Sequence, residues 1–253
     1  MATRKPTASR REVLAGLAAG AVAVGLPLVS VQAAEKEQPR KLKVIVVGAH
    51  PDDPESTTGG TIARYTDLGH EVVCLYLTRG EAGKRAETSE KTAALRTAEA
   101  EKSCKILKAR PLFAGQIDAD TEINPKRYGE FFKVLDAEKP NLVFTHWPID
   151  PHRDHRAASL LVYDAWLQSG KKFALFYFEV HGGAHLKLFR PTHYVDITAT
   201  EDRKRQACLV HGSGPRIYEH YHDLMNRFRG LEIGCKFAEA FIEQPGSQAG
   251  RLL

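Results

Sequence analysis

Two short stretches of the 253-residue chain concentrate side chains that could do chemistry. The first is Ala49-His50-Pro51-Asp52-Asp53-Pro54-Glu55, where a histidine and a carboxylate stand three positions apart on a segment stiffened by two prolines. Such a pair can converge on one cation, and a neighbouring acid that is not a ligand is then free to act as a general base. Asp53-Pro54-Glu55 reads equally as a helix start, with Asp at the cap, Pro at the first position and an acid in the first turn. That second reading leaves His50 and Asp52 unexplained. The other stretch runs from Thr145 to His155 and holds His146, Asp150, His152, Asp154 and His155. His152 and His155 are spaced i, i+3 and share one side if Asp154 caps the helix that follows. A catalytic zinc takes three N and O ligands from the protein and keeps a position open for water. His50, Asp53 and one histidine of the second stretch would complete such a set, while His146 reads equally as part of a polar loop.

Stepping outward, the elements that must hold these residues alternate along the chain. Leu42–Val47 reads as a strand buried on both faces, followed by the first cluster and a helix over about 55–68. Val72–Leu77 is a second strand, 78–87 a polar loop, and an Ala-, Glu- and Lys-rich helix ends near Ala109. Strands follow at 111–114 and 142–145, with helices over 128–138 and 156–168. Phe173–Phe178 and His193–Ile197 read as two further strands, and two helical segments, about 201–211 and 216–242, close the chain. Strands and helices at this spacing predict an α/β fold, Rossmann-like and doubly wound, with a mostly parallel sheet covered by helices on both faces. Both clusters then fall just past strand ends, where ligands bind in such sheets.

Nucleotide cradles are not written here. There is no G-x-G-x-x-G, Gly59-Gly60 fall inside the first helix, and no G-x-x-x-x-G-K-[ST] follows a strand. Those two glycines are expected to permit close backbone approach to the sheet or a ligand. The zincin motif H-E-x-x-H is also missing. Tyr65, Trp147, Tyr177 and Phe178 could stack on a ring, although aromatic residues near strands more often belong to the core.

The formal charge of +5 could invite nucleic acid, but residues 1–33 carry Arg4, Lys5, Arg10 and Arg11 against Glu12. The remaining chain holds 32 basic and 30 acidic residues, so the case for nucleic acid loses its main support. Ser9-Arg10-Arg11 opens an uncharged run from Val13 to Ala34 that resembles a Tat export signal, with a small-residue cleavage site after Ala33. By count the run could also stay as a membrane anchor. The expected organisation is a leader over 1–33, read by the twin-arginine export machinery, a polar linker over 34–41, and a single domain over 42–253. The expected location is periplasmic or otherwise extracytoplasmic. Cys74, Cys104, Cys208 and Cys235 form no CxxC pair and read as neither a zinc knuckle nor a disulfide framework, with one disulfide left open.

The two clusters together resemble the A-H-P-D-D-x-E and H-P-D-H motifs of the PIG-L/LmbE-like family of zinc-dependent N-deacetylases, in the same order and strand context over residues 42 to about 243. The resemblance implies His50, Asp53 and His155 as ligands of zinc or another divalent transition metal. It implies Asp52 as general base and His152 as a cationic group facing the oxyanion and leaving amine. Asp154 would orient a neighbouring histidine and Glu55 would support the first loop. Arg96, of an R-x-x-E helix, and Asp118 match the family's substrate-holding places, although Arg96 is equally placed to pair with Glu99. Arg153 departs from the family's Pro and adds a charge beside His152. The implied reaction is hydrolysis of an N-acetyl group on an N-acetylglucosamine-type sugar or conjugate. Another amide substrate, or a metal-dependent carbohydrate-binding protein without catalysis, are the rival readings. Oligomeric state is not written in the sequence.

Overall fold

The apolar run Val44-Ile45-Val46-Val47 forms the heart of β1 (Lys43–Gly48), and each of those four side chains is fully buried. Alternate residues serve opposite layers: Val44 and Val46 join one core, Ile45 and Val47 the other. That division makes β1 a central strand. A computed structural model describes residues 41–83, 86–180, 188–213, 218–247 and 252–253. The leader expected over 1–33, and the linker apart from its last residue, lie outside the described residues.

The remaining strands are β2 (Glu71–Tyr76), β3 (Arg110–Phe113), β4 (Leu142–His146), β5 (Ala174–Phe178), β6 (His193–Asp196) and β7 (Ala238–Glu243). They form one sheet in the order β3-β2-β1-β4-β5-β7-β6. The first five are parallel, and β7 and β6 add antiparallel at one edge. The α/β, mostly parallel expectation is therefore met. The chain leaves β1 toward β2 on one side and later returns to lay β4 on the other. The strand order thus reverses between β1 and β4, which in open sheets makes a crevice at their carboxyl ends.

The helices start where local chemistry tells them to. Thr88 caps α2 (Ser89–Leu107) by accepting from Lys91 N–H at 3.2 Å. Asn124 caps α3 (Pro125–Ala137) by accepting from Arg127 N–H at 3.0 Å, which starts this helix three residues earlier than expected. α1 (Asp53–Asp67), α4 (Arg153–Gln168) and α5 (Glu201–Cys208) complete the layers. Gly60 lies where α1 meets the segment after β6: a Cβ there would stand 2.6 Å from Ile197 Cβ. The close approach is thus to the protein's own chain.

The closing segment corrects one expectation. In place of a helix over 216–242, a π-helical turn at Tyr218–His222 leads into α6 (Asp223–Ile233), and Ala238–Glu243 is β7. Ala238, Ala240 and Phe241 are buried between β5 and β6, so ladder pairing on both sides outweighs the helix propensity of the alanines and glutamates. All four cysteines are free thiols, with Cys235 half-buried and the others buried. Among the described residues, no helix is long and apolar enough to cross a membrane.

Candidate metal centre

The first cluster leaves β1 through a tight turn, in which Asp53 N–H donates to His50 C=O at 3.2 Å. The cap of α1 is Asp52 rather than Asp53, and Asp52 sits at φ 116°, ψ −24°. A non-glycine residue in that left-handed region costs about 1–3 kcal/mol and persists only when its surroundings hold it. The shift of one position has a cause: Asp53 turns inward, where its Oδ2 accepts from His50 N–H at 2.7 Å.

The Asp53 carboxylate is the meeting point of both loops. It lies 3.4 Å from His50 Nδ1, 3.5 Å from His155 Nε2 and 3.3 Å from His146 Nε2. Burial alone would raise its pKa, but the facing His155, His146 and His50 hold it well below the ordinary carboxylate range. His50, His152 and His155 also bring ring nitrogens within 4.8 Å of one another. The two histidines of the second loop come from the start of α4, whose cap is His152 and not Asp154. His152 Nδ1 accepts from Asp154 N–H at 3.3 Å. Asp154 is thereby released to turn inward. It accepts from Ala119 N–H at 2.9 Å and Thr121 Oγ1 at 2.7 Å, and stands 3.2 Å from His50 Nε2.

Each central histidine is held from behind. His50 Nε2 faces Asp154 and, also at 3.2 Å, Asp118, which leaves Nδ1 toward Asp53. Burial disfavours charge on His50, yet Asp118, Asp154 and Asp53 raise its pKa well above the ordinary value. His155 Nδ1 lies 3.0 Å from Asp150 Oδ1, which leaves Nε2 toward Asp53. A carboxylate behind a histidine in this way fixes its ring and raises its basicity toward a cation. His146 stacks on His155 at 4.0 Å between centroids and is fully buried. Burial, then His155, push its pKa down to about 4. Its Nε2 accepts from Ala49 N–H at 3.0 Å, so the neutral ring braces the cluster.

The donor set suits a divalent cation. Asp53 is a buried carboxylate faced by three histidine rings, and a buried carboxylate needs a positive charge beside it, which a divalent cation would supply to Asp53 and the imidazole nitrogens together. His155 belongs to two groupings of donor atoms, one with His50 and His152 and one with Asp53 and His146, and mixed N and O donors of this kind are the chemistry that zinc and similar ions take.

Asp52 stands beside this set and outside it. Its Oδ2 accepts from Ser213 Oγ at 2.6 Å and from Arg96 Nη2 at 3.1 Å. Among the described residues its Oδ1 takes no hydrogen bond. Arg96 reaches from α2 to Pro51 C=O as well as to Asp52, so it faces the cleft. The glycine at 80 makes this possible: at φ 71°, a Cβ there would stand 2.6 Å from Arg96 Cζ. His152 opens onto solvent. Partial burial, then His155 and His50, lower its pKa. With Nδ1 accepting the Asp154 N–H, Nε2 is the ring nitrogen left for a ligand. Glu55 points away from the cluster: its Oε1 accepts from Tyr76 OH at 2.6 Å and faces His211 Nε2 at 3.4 Å. His50, Asp52, Asp53, Arg96, Asp118 and His152 all line a cleft of about 320 Å³. Of the four aromatics considered for stacking, Tyr65, Tyr177 and Phe178 are core, and Trp147 is half-buried.

Sequence reasoning did not assign Asp150, His146, His211 or Ser213. The pairing of Asp150 with His155, five positions on, was a usable signal. Ser213 had none, since it lies 161 residues from Asp52.

Fold and site together define a Rossmann-like α/β protein with a His/Asp metal-type centre at the switch point of its sheet. Residues 45–166 match the family model described as GlcNAc-PI de-N-acetylase (PIG-L). The diacetylchitobiose deacetylase of Thermococcus kodakarensis is 31% identical over 224 residues, covering 81% of this chain and 84% of that protein. The crystal structure of the N,N'-diacetylchitobiose deacetylase of Pyrococcus horikoshii superposes with a TM-score of 0.71 at 25% identity, over 81% of this chain and 84% of that one. A 4-oxalmesaconate hydratase of Pseudomonas putida is 28% identical over 228 residues, covering 81% of this chain and 88% of that protein. The chain belongs to the PIG-L family.

Proposed function

We propose that this protein is a zinc-dependent N-deacetylase that removes the acetyl group from an N-acetylglucosamine-type sugar or conjugate. The observation that carries the reading is Asp52: a cleft-lining carboxylate with one oxygen that takes no hydrogen bond among the described residues, beside metal-type groupings of described residues that do not include it. The similarity to diacetylchitobiose deacetylases supports the substrate class. His50, Asp53 and His155 would hold the ion. A bound zinc supplies Lewis acidity, polarising an amide carbonyl and bringing the pKa of a water from 15.7 to about 7.

The chain's own residues do the rest. Asp52 Oδ1 takes a proton from the attacking water as the C–O bond forms. His152 donates from Nε2 to the carbonyl oxygen as that oxygen gains charge. The proton held by Asp52 is then delivered to the nitrogen as the C–N bond breaks, leaving a free amine and acetic acid, which ionises to acetate. Arg96 holds Asp52 and borders the cleft, and Asp118 holds His50. No step needs a redox partner or a nucleotide.

The hydratase relative supplies a second reading, addition of water to a conjugated carbon–carbon double bond. Zinc-loaded protein incubated with N,N'-diacetylchitobiose and, separately, with 4-oxalmesaconate decides between them. Deacetylation gives one free amine per acetate from the first and leaves the second unchanged. Consumption of 4-oxalmesaconate without acetate release would establish hydration instead. Binding of the sugar with neither product would establish a non-catalytic carbohydrate-binding protein.

We also place the protein outside the cytoplasm, on the strength of Arg10-Arg11 and the uncharged run that follows. Replacing both arginines by lysine should retain the chain in the cytoplasm. Export of that variant at the wild-type level would contradict a twin-arginine route.

A further inference from the structure

Asp52 does not orient itself. It caps α1 with a left-handed backbone, yet its side chain makes no capping hydrogen bond to the helix it starts. Its carboxylate is held by two groups from other elements, the Arg96 guanidinium of α2 at 3.1 Å and the Ser213 hydroxyl from the segment after α5 at 2.6 Å. Both donate to Oδ2. Arg96 alone is a shared restraint, because the same Nη2 also donates to Pro51 C=O. One donor leaves a carboxylate free to turn about that bond, whereas two donors from different directions fix its plane.

Ser213 is itself tied down. Three consecutive residues anchor its segment: His211 N–H donates to Cys208 C=O at 3.2 Å, Gly212 N–H donates to Glu99 Oε1 at 3.2 Å, and Ser213 reaches Asp52. The His211 ring is 1% exposed and lies 3.4 Å from Glu55 Oε1, so it plugs the space behind the first loop. Ser103 Oγ donates to Ala207 C=O at 3.0 Å and fastens the end of α5 to α2. The hydroxyl is thus presented by the helical layer.

We propose that Ser213 is a positioning residue for the reaction: with Arg96 it pins Asp52 Oδ2, so that Oδ1 is the oxygen offered to the cleft. The inference rests on the reading of Asp52 as the general base. Ser213 acts through Asp52, and removing its hydroxyl should lower kcat while leaving substrate binding and the metal in place.

The test compares zinc-loaded wild-type protein with Ser213→Ala, Ser213→Thr and Asp52→Asn, following acetate release from N,N'-diacetylchitobiose, bound zinc and Tm, together with a crystal structure of Ser213→Ala. Ser213→Ala is expected to lose kcat on the order of 10- to 100-fold with KM, zinc content and Tm unchanged. Ser213→Thr keeps the hydroxyl and should recover most of the loss. In the crystal, Asp52 should be rotated or split between two orientations. Wild-type kcat in Ser213→Ala beside an inactive Asp52→Asn would overturn the inference and leave the deacetylase reading intact. A lost rate with Asp52 unmoved would also overturn it, since the hydroxyl would then act on substrate directly. Full activity in Asp52→Asn would remove the reading of Asp52 as base, and the inference with it.

Discussion

Asp150 shows how much of a metal centre lies behind its ligands. Its Oδ1 faces His155 Nδ1 at 3.0 Å and also accepts from His152 N–H at 2.8 Å, so one carboxylate sets the orientation of the loop and of the ring. Asp150→Asn should weaken zinc retention by about 10- to 100-fold, measured by competition with a chelator. Unchanged affinity would mean that packing against His146 orients His155 unaided. At this scale the sequence was informative where chemistry is dense. His50, Asp52, Asp53, Asp118, His152, Asp154, His155 and Arg96 all come to one cleft or stand directly behind it. What it hid was direction. Whether Asp52 or Asp53 turns inward, and whether His152 or Asp154 caps α4, depends on one or two residues of helical phase. Neither spacing nor residue type encodes that phase, because Asp suits a cap and a ligand equally well. His146 was hidden for another reason: a histidine ending a strand reads the same whether it braces a neighbour or faces water.

Between elements, charge is used in two ways that predict different costs. Lys204 of α5 is fully buried, with its ammonium 2.6 Å from Glu239 Oε1 and 3.1 Å from Asn226 Oδ1. Glu239 of β7 also accepts from Gly60 and Thr61 N–H in α1, at 2.9 and 2.8 Å. This carboxylate ties three elements together, and Lys204→Met would leave its charge buried without a countercharge. The loss should be about 3–5 kcal/mol in denaturant unfolding; a change below 1 kcal/mol would show that water reaches Glu239. Asp67, at the end of α1, is the contrasting case. The hydrogen bonds from Arg203, against the opposing effect of burial, and then that from Lys108 bring its pKa to about 2. A depressed carboxylate stabilises the fold above its unfolded pKa, and that contribution disappears as pH falls from about 4 to 2. Because Asp67 is largely exposed, Asp67→Asn should cost less than about 1 kcal/mol at pH 7. The gap to wild type should close by pH 2, and a constant gap would assign the effect to packing. The elements carrying these pairs were mostly legible. β7 was not, because Phe237-Ala238-Glu239-Ala240-Phe241 is composed largely of residues that a helix also accepts, and only its place between β5 and β6 makes it a strand.

Over the whole molecule, the strand order delivers the site. Loops after β1 and β4 meet because the strand order reverses between those parallel neighbours, and the sequence announced this by placing a His/Asp cluster after each strand. The antiparallel edge was beyond its reach, since pairing across more than 40 residues leaves no local periodicity. α6 at that edge carries its polarity reversed. Asn226 and Arg229 are buried, Arg229 donating to both oxygens of Glu179 at 2.7 and 2.8 Å, while Leu224, Phe228 and Leu231 face outward. Its stability should therefore come from the polar face. Leu231→Lys should change unfolding free energy by no more than about 0.5 kcal/mol, whereas Arg229→Ala should cost about 3–5 kcal/mol. The opposite ranking in chemical denaturation would show that the apolar face carries the helix.

The division of labour between a metal-binding set and a separate base is tested most directly by the rate of acetate release per bound zinc in wild type and Asp52→Asn, on N,N'-diacetylchitobiose. Wild type should turn over, and Asp52→Asn should retain its zinc while losing rate by about 10²- to 10⁴-fold. A zinc-loaded Asp52→Asn protein releasing acetate at the wild-type rate would contradict that division, and the base would have to be sought elsewhere in the cleft.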